Sequence, residues 1–231
     1  MINSLKIILF LCSSLWLNSL SAQFDVIRGS DIEDYMLIKQ QDPFGRQADD
    51  VLGSPYLNDT FKVADVYTTK GIFKDVLVRY EVYRDWIEFL KNNQTFILDP
   101  SADLLKVDLH DQAWYVQPYE EGGRLKLGFF KMLVDDKVKL MVRKTVKFQD
   151  RKLAKALEAK GTPPQYVPGK DQYYLRVDTR PSELLYSAKK IADLLPDHKN
   201  SIASYIKRKK VSLKEAELLE LMAYYHKLDE N

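Results

Sequence analysis

Cysteine is nearly absent. The chain carries one, Cys12, inside an apolar run close to its start. A lipid-anchoring signal wants a small residue just ahead of the cysteine, and Leu11 is large, so lipidation is not expected. Everything after residue 22 is free of cysteine, which excludes disulfides, thiolate catalysis and cysteine-based metal sites from that part. Histidine is scarce too, at three residues. No serine stands in a G-x-S-x-G elbow and no glycine-rich phosphate loop occurs.

An excess of one charge is also lacking. Lysine and arginine number 35 against 33 acids, a formal +2. Phosphate backbones are gripped by strongly basic domains, so nucleic acid is not expected as a partner. No later apolar run approaches the roughly 18 residues of a spanning helix, so no transmembrane helix is expected.

What is present begins with an export signal. Lys6 gives a positive start, Ile7 to Leu17 is apolar, and Ser19-Leu20-Ser21-Ala22 supplies small residues before Gln23. That order reads as a signal peptide over residues 1–22, with cleavage near residue 22. The whole chain is 45% apolar and 29% charged, a globular balance.

Residues 23–60 lack periodicity and are rich in Asp, Gly, Pro and Gln, which predicts an irregular N-terminal arm pinned through Val51, Leu52, Tyr56 and Leu57. Residues 61–148 read as an antiparallel β domain. Val76, Val78, Tyr80 and Val82 alternate with Leu77, Arg79, Glu81 and Tyr83, a period of two. Further β-rich runs follow at short spacing, with turns at Thr68–Gly71, Lys91–Asn93, Glu120–Gly123 and Asp135–Lys137. Many short strands joined by tight turns predict a meander that curls to hide its edges. Residues 149–172 read as a Pro/Gly-containing connector, and residues 173–231 as a short hairpin plus a helical segment. The fold class expected is therefore β-rich α+β: a barrel-like or strongly twisted antiparallel sheet, then about three short C-terminal helices. In the last helix, Ser212 and Glu215 form a capping box, and Leu213, Ala216, Leu219, Met222 and Ala223 form the apolar stripe. The basic run Lys207–Lys210 closes the preceding helix, where positive charge suits the dipole.

Candidate sites are few. Asp108, His110 and Asp111 gather acid and imidazole, but a third ligand from another strand is missing, so a turn is favoured over a metal centre. No catalytic residue, metal or cofactor is expected. The aromatics carry the functional reading: Trp86, Trp114, Tyr115, Tyr119 and Phe130. Adjacent Trp114-Tyr115 and Phe129-Phe130 must point to opposite faces of their strands, so one of each pair leaves a simple core, either to stack on a partner or a sugar or, the favoured reading, to sit beneath the N-terminal arm or the helical segment.

The stretches "GSPYLND", "VQPYEEGGRLKLGFFKML", "DDKVKLMVRK" and the ending from Ser187 to Leu228, with its break at Leu194-Leu195-Pro196-Asp197, resemble a group of exported Bacteroidota proteins. The resemblance implies a periplasmic or outer-envelope location and supplies no catalytic residues. Together these readings lead to an expectation of a non-enzymatic envelope protein that contacts an outer-membrane or cell-surface protein. The alternative is a glycan-binding module built on exposed aromatics.

Overall fold

The computed structural model describes residues 26–28, 32, 38–39, 51–98, 100, 103–109, 112–152 and 161–230. The expected signal segment, much of the arm, His110 and Asp111 lie outside the described residues. Strands and helices follow in this order: β1 (Val26–Arg28), β2 (Ile38–Lys39), β3 (Lys62–Thr68), β4 (Ile72–Glu81), β5 (Trp86–Lys91), β6 (Gln94–Leu98), β7 (Leu104–Leu109), β8 (Gln112–Glu121), β9 (Arg124–Val134), β10 (Val138–Arg143), β11 (Val146–Gln149), β12 (Gln165–Pro168), β13 (Gln172–Val177), β14 (Glu183–Leu184), α1 (Lys189–Leu194), α2 (Lys199–Lys209) and α3 (Glu215–Asp229). The fold is β-rich, a curled antiparallel half-barrel sheet followed by three helices.

The main sheet runs β14-β13-β10-β9-β8-β7-β3-β4-β5-β6-β2, with β1 parallel beside β4. Neighbours in this order are mostly consecutive in the chain, as tight turns dictate. Asn92-Asn93 and Gly122-Gly123 both take positive φ in two-residue loops, whose twist matches that of the flanking strands. A bulge interrupts β4 against β3, and Asp75 there sits at φ 58.

Two features turn this ribbon into a rolled object. Val66, Val76, Val78, Tyr80, Ile87, Phe89, Val107, Trp114 and Phe129 line the concave face of the half-barrel and are buried. At the other end the sheet rolls over on itself. Ser182, just before β14, forms a parallel bridge to Tyr119 on the flank of β8 away from β9. Its N–H donates to the Pro118 carbonyl at 2.9 Å and its carbonyl accepts from Glu120 N–H at 3.2 Å. The inside of this roll is filled by Tyr119, Phe130, Met141 and Tyr174. Its outside, through Val138, Leu140, Val142, Tyr173 and Leu175, is covered by the three helices.

Several local expectations are corrected. β11 does not extend β10 but leaves to pair with β12 in a separate two-stranded sheet, so the expected connector contains a strand. Leu52 is bridged to Gln165, and its backbone trades hydrogen bonds with Pro164 and Tyr166, while its side chain is exposed. The arm is pinned there by backbone rather than by apolar contact. Helix α3 starts at Glu215 with Lys214 as its cap, and Ser212 instead gives its N–H and hydroxyl to Glu217 at 2.6 and 2.8 Å. The buried stripe of α3 is Leu218, Leu221, Met222 and Tyr225. Leu219, Ala216 and Ala223 face solvent. The apolar residues of this helix satisfy two overlapping helical rows, and packing on the sheet selects one. Helix α2 ends as expected with Lys207, Arg208 and Lys209 in its last turn, followed by left-handed Lys210.

Candidate functional site

Polar chemistry inside the protein centres on the β4–β5 turn. Asp85 takes a left-handed conformation there, φ 61, which a short Asp side chain tolerates. The turn thereby drives its carboxylate into the mouth of the roll. The Tyr80 hydroxyl donates to Asp85 Oδ1 at 2.5 Å, and Arg143 Nη2 donates to Oδ2 at 3.0 Å. The Phe129 N–H approaches the same Oδ2 at 3.4 Å, on the flank of β9 where its pairing with β10 has ended. Arg143 lies over the Tyr119 ring, 5.0 Å from its centroid. Gly128 makes the room: a Cβ there would fall 2.7 Å from Asp85 Oδ2 and 2.9 Å from Tyr119 Cε1.

The electrostatics follow from burial. Desolvation pushes the Asp85 carboxyl up from its ordinary range, against the pull of Arg143, Tyr80 and the Phe129 N–H. Burial and the facing Asp85 charge hold the Tyr80 phenol far above its usual value. Arg143 loses solvation as well, but Asp85 and the surrounding tyrosines more than offset that loss and keep its guanidinium ionised.

A second network lies on the convex face of β4 and β5, under residues 54–61. Arg79 is sandwiched between the Tyr56 and Phe61 rings, at 4.0 and 4.4 Å. Its Nε donates to Glu88 Oε2 at 2.7 Å, and its Nη2 donates to the Tyr56 hydroxyl at 2.9 Å. Glu88 is fully buried, with Oε1 unpartnered. Burial, then the Glu88 charge, pushes the Tyr56 phenol up to about 12. Glu81 is held by both oxygens to Arg84 at 3.2 and 3.1 Å. Both networks consume their charges internally and join segments distant in sequence.

The open feature lies elsewhere. β8 and β9 pair from Glu121↔Arg124 to Trp114↔Lys131 and then splay. Beyond that point β9 pairs Met132 and Val134 with β10, while β8 begins at Gln112 and Ala113 against β7. Two strand flanks therefore face one another without pairing across the gap. The gap is a groove of about 460 Å3, with Gln112, Ala113 and Tyr115 on one wall and Lys131, Met132 and Leu133 on the other. Its surroundings are polar. Lys106 pairs with Asp108 at 2.7 Å and stacks on Tyr67 at 4.0 Å, and Lys131 reaches Glu215 of α3 at 3.9 Å.

The five aromatics singled out from sequence do not form one surface. Trp114 and Phe130 are fully buried and Tyr119 nearly so. Phe129 and Phe130 do point to opposite faces, but the roll gives the sheet a second interior, so both are core. Trp86 and Tyr115 are half-buried, and β4, β3 and β7 separate their strands. Of these five, only Tyr115 reaches the groove. The sequence pattern does not point to Asp85, Arg143 or Gly128. The available signal was a charged residue continuing the inward alternation of Met141, and a glycine inside a strand. His198 and His226 find acids that sequence spacing hides, lying 3.5 Å from Asp229 and 3.6 Å from Asp136. Among the described residues no cluster of His, Cys, Asp and Glu suits a metal ion. No family model, no curated protein and no solved structure matches the chain.

Proposed function

We propose that this chain is an exported envelope protein that acts by holding a protein partner, and that it does so by taking an extended segment of that partner into the groove between β8 and β9. The observation behind this reading is the pair of facing strand flanks at Gln112–Ala113 and Met132–Leu133, each already paired on its far side. Such flanks offer backbone donors and acceptors that an added strand satisfies, and alternate side chains of the guest would meet Tyr115 and Met132. The mixed charges around the opening suit a rim that stays hydrated while the centre is covered. A glycan platform has less support, because Trp114, Tyr119 and Phe130 are spent in the core and Trp86 and Tyr115 stand strands apart.

Photo-crosslinking in the native envelope tests this. A photoreactive residue at Ala113 and one at Met132 should each capture the same polypeptide. A probe at Leu125, exposed on the β8–β9 hairpin, should not. Equal capture at all three positions, or none at the groove positions, overturns the reading.

A further inference from the structure

The roll has two polar ends, and they differ in one respect. β10 and β13 pair Arg143 with Gln172, Met141 with Tyr174 and Lys139 with Arg176. Alternation puts Lys139, Met141 and Arg143 on one face, so the two arginines lie on either side of the Tyr119–Phe130–Tyr174 plug. Arg143 has its acid in Asp85. Arg176 has none among the described residues. Its Nη1 donates to Gln117 Oε1 at 2.5 Å, and its buried Nε has no hydrogen-bond partner.

Ser182 stands beside it. The β13–β14 register, Tyr174↔Leu184 and Leu175↔Glu183, continues to Arg176 opposite Ser182. The parallel bridge to Tyr119 places the Ser182 side chain on Tyr119's face, which is the inside of the roll. Ser182 is fully buried and its Oγ has no partner, although its backbone is satisfied on both sides. The amide oxygen of Gln117 is committed to Arg176, which leaves its amide nitrogen as a further donor. Lys139, across from Arg176, carries its own ion pair with Asp135.

We propose that Arg176, Ser182 and Gln117 form a binding site for a compact oxyanion, a carboxylate or a tetrahedral phosphate or sulfate. The groups left open here are donors, and one of them is a guanidinium without a counter-charge. A water molecule would satisfy donors but leave the cation unbalanced, whereas an oxyanion does both, and charge-assisted bonds to guanidinium and hydroxyl are the stronger kind. This inference stands apart from the groove and survives if no peptide binds there.

The test is thermal unfolding and calorimetric titration of the full chain with sodium phosphate, sulfate or acetate, each against chloride at constant ionic strength. At least one oxyanion should raise the melting temperature saturably, as a ligand of the native state does. Response to acetate alone identifies a carboxylate; response to phosphate and sulfate identifies a tetrahedral anion. Ser182→Ala should weaken binding by about tenfold, one hydrogen bond to a charged group. In chloride the same variant should melt no lower than the parent, since it removes an unpaired buried hydroxyl. Arg176→Gln should abolish the response, and Arg208→Gln on the exposed side of α2 should leave it intact. No saturable response to any of the three anions, or an unchanged response in Ser182→Ala, overturns the site.

Discussion

Tyr80 and Arg143 meet through one carboxylate: Asp85 takes the tyrosine hydroxyl on Oδ1 and, on Oδ2, an arginine 58 positions further along the chain. Tyr80 belongs to the core of the half-barrel, packed 4.7 Å from the Trp114 ring and 5.8 Å from Phe129. Arg143 belongs to the roll. The carboxylate between them ties two separately packed interiors through the turn that separates β4 from β5. A buried pair of this kind adds little net stability compared with an apolar filling, but losing one partner strands the other charge.

Arg143→Gln is therefore expected to destabilise the protein by about 3–5 kcal/mol near neutral pH. The loss should depend on pH in a definite direction. The folded Asp85 carboxyl already lies above its unfolded value of about 3.9, and removing Arg143 raises it further. Ionising a carboxyl whose folded value is raised costs the native state. The deficit is thus full at neutral pH and shrinks as pH falls through the variant's raised folded value toward the parent's, since the unfolded value is common to both. Urea unfolding of parent and variant at about pH 7 and about pH 4 measures it. A deficit that stays constant or grows in acid would contradict the assignment.

Gly128→Ala probes the same contact from the other side. Its new methyl would lie 2.7 Å from Asp85 Oδ2, and Asp85 cannot swing away while Tyr80 and Arg143 hold it. Overpacking of this sort costs about 1–3 kcal/mol. In an Asp85→Ala background the share of that cost owed to the carboxylate should vanish, leaving the contact with Tyr119 Cε1 at 2.9 Å. That coupling, read from a double-mutant cycle, separates steric conflict at Asp85 from a generic strand effect. Additive costs would mean that the glycine matters for another reason.

Alternation and turn chemistry made much of this architecture legible. The pair Gly122-Gly123 marks the β8–β9 hairpin, and Val76 through Val82 shows which face of β4 turns inward. What alternation does not contain is curvature. A flat sheet packed on one side leaves Tyr119, Phe130 and Tyr174 in water, and only the roll that brings Ser182 onto β8 makes them core. The Asp85–Arg143 pair was hidden for the same reason, because it spans strands that become neighbours through that closure. The groove between β8 and β9 arises where β9 changes partner, and a single strand's residue pattern does not record a change of partner.

The proposed export makes a separate prediction. The charged start at Lys6, the apolar run to Leu17 and the small residues at Ser19, Ser21 and Ala22 fit a cleaved signal. Mass spectrometry of the protein recovered from its native envelope should find an N-terminus at Ala22 or Gln23. Intact Met1 on the envelope protein, or a lipid-modified Cys12, would remove the export reading.

The final helix offers the cleanest contrast of neighbours. Leu218 is fully buried against the sheet, while Leu219, one residue on, is 36% exposed. Leu218 packs in the cluster that joins α3 to α1 and to Val138, Leu140 and Leu175 of the roll's outer face. Emptying that position with Leu218→Ala should cost about 2–5 kcal/mol, the transfer and cavity terms together. Leu219→Ala gives up mainly surface already wet, and alanine is the better helix former, so its cost should stay below about 1 kcal/mol. Chemical denaturation of the two variants settles the facing of the helix. Equal losses would mean that α3 sits rotated on the sheet, which would also move Glu215 away from Lys131 and so reshape one rim of the groove.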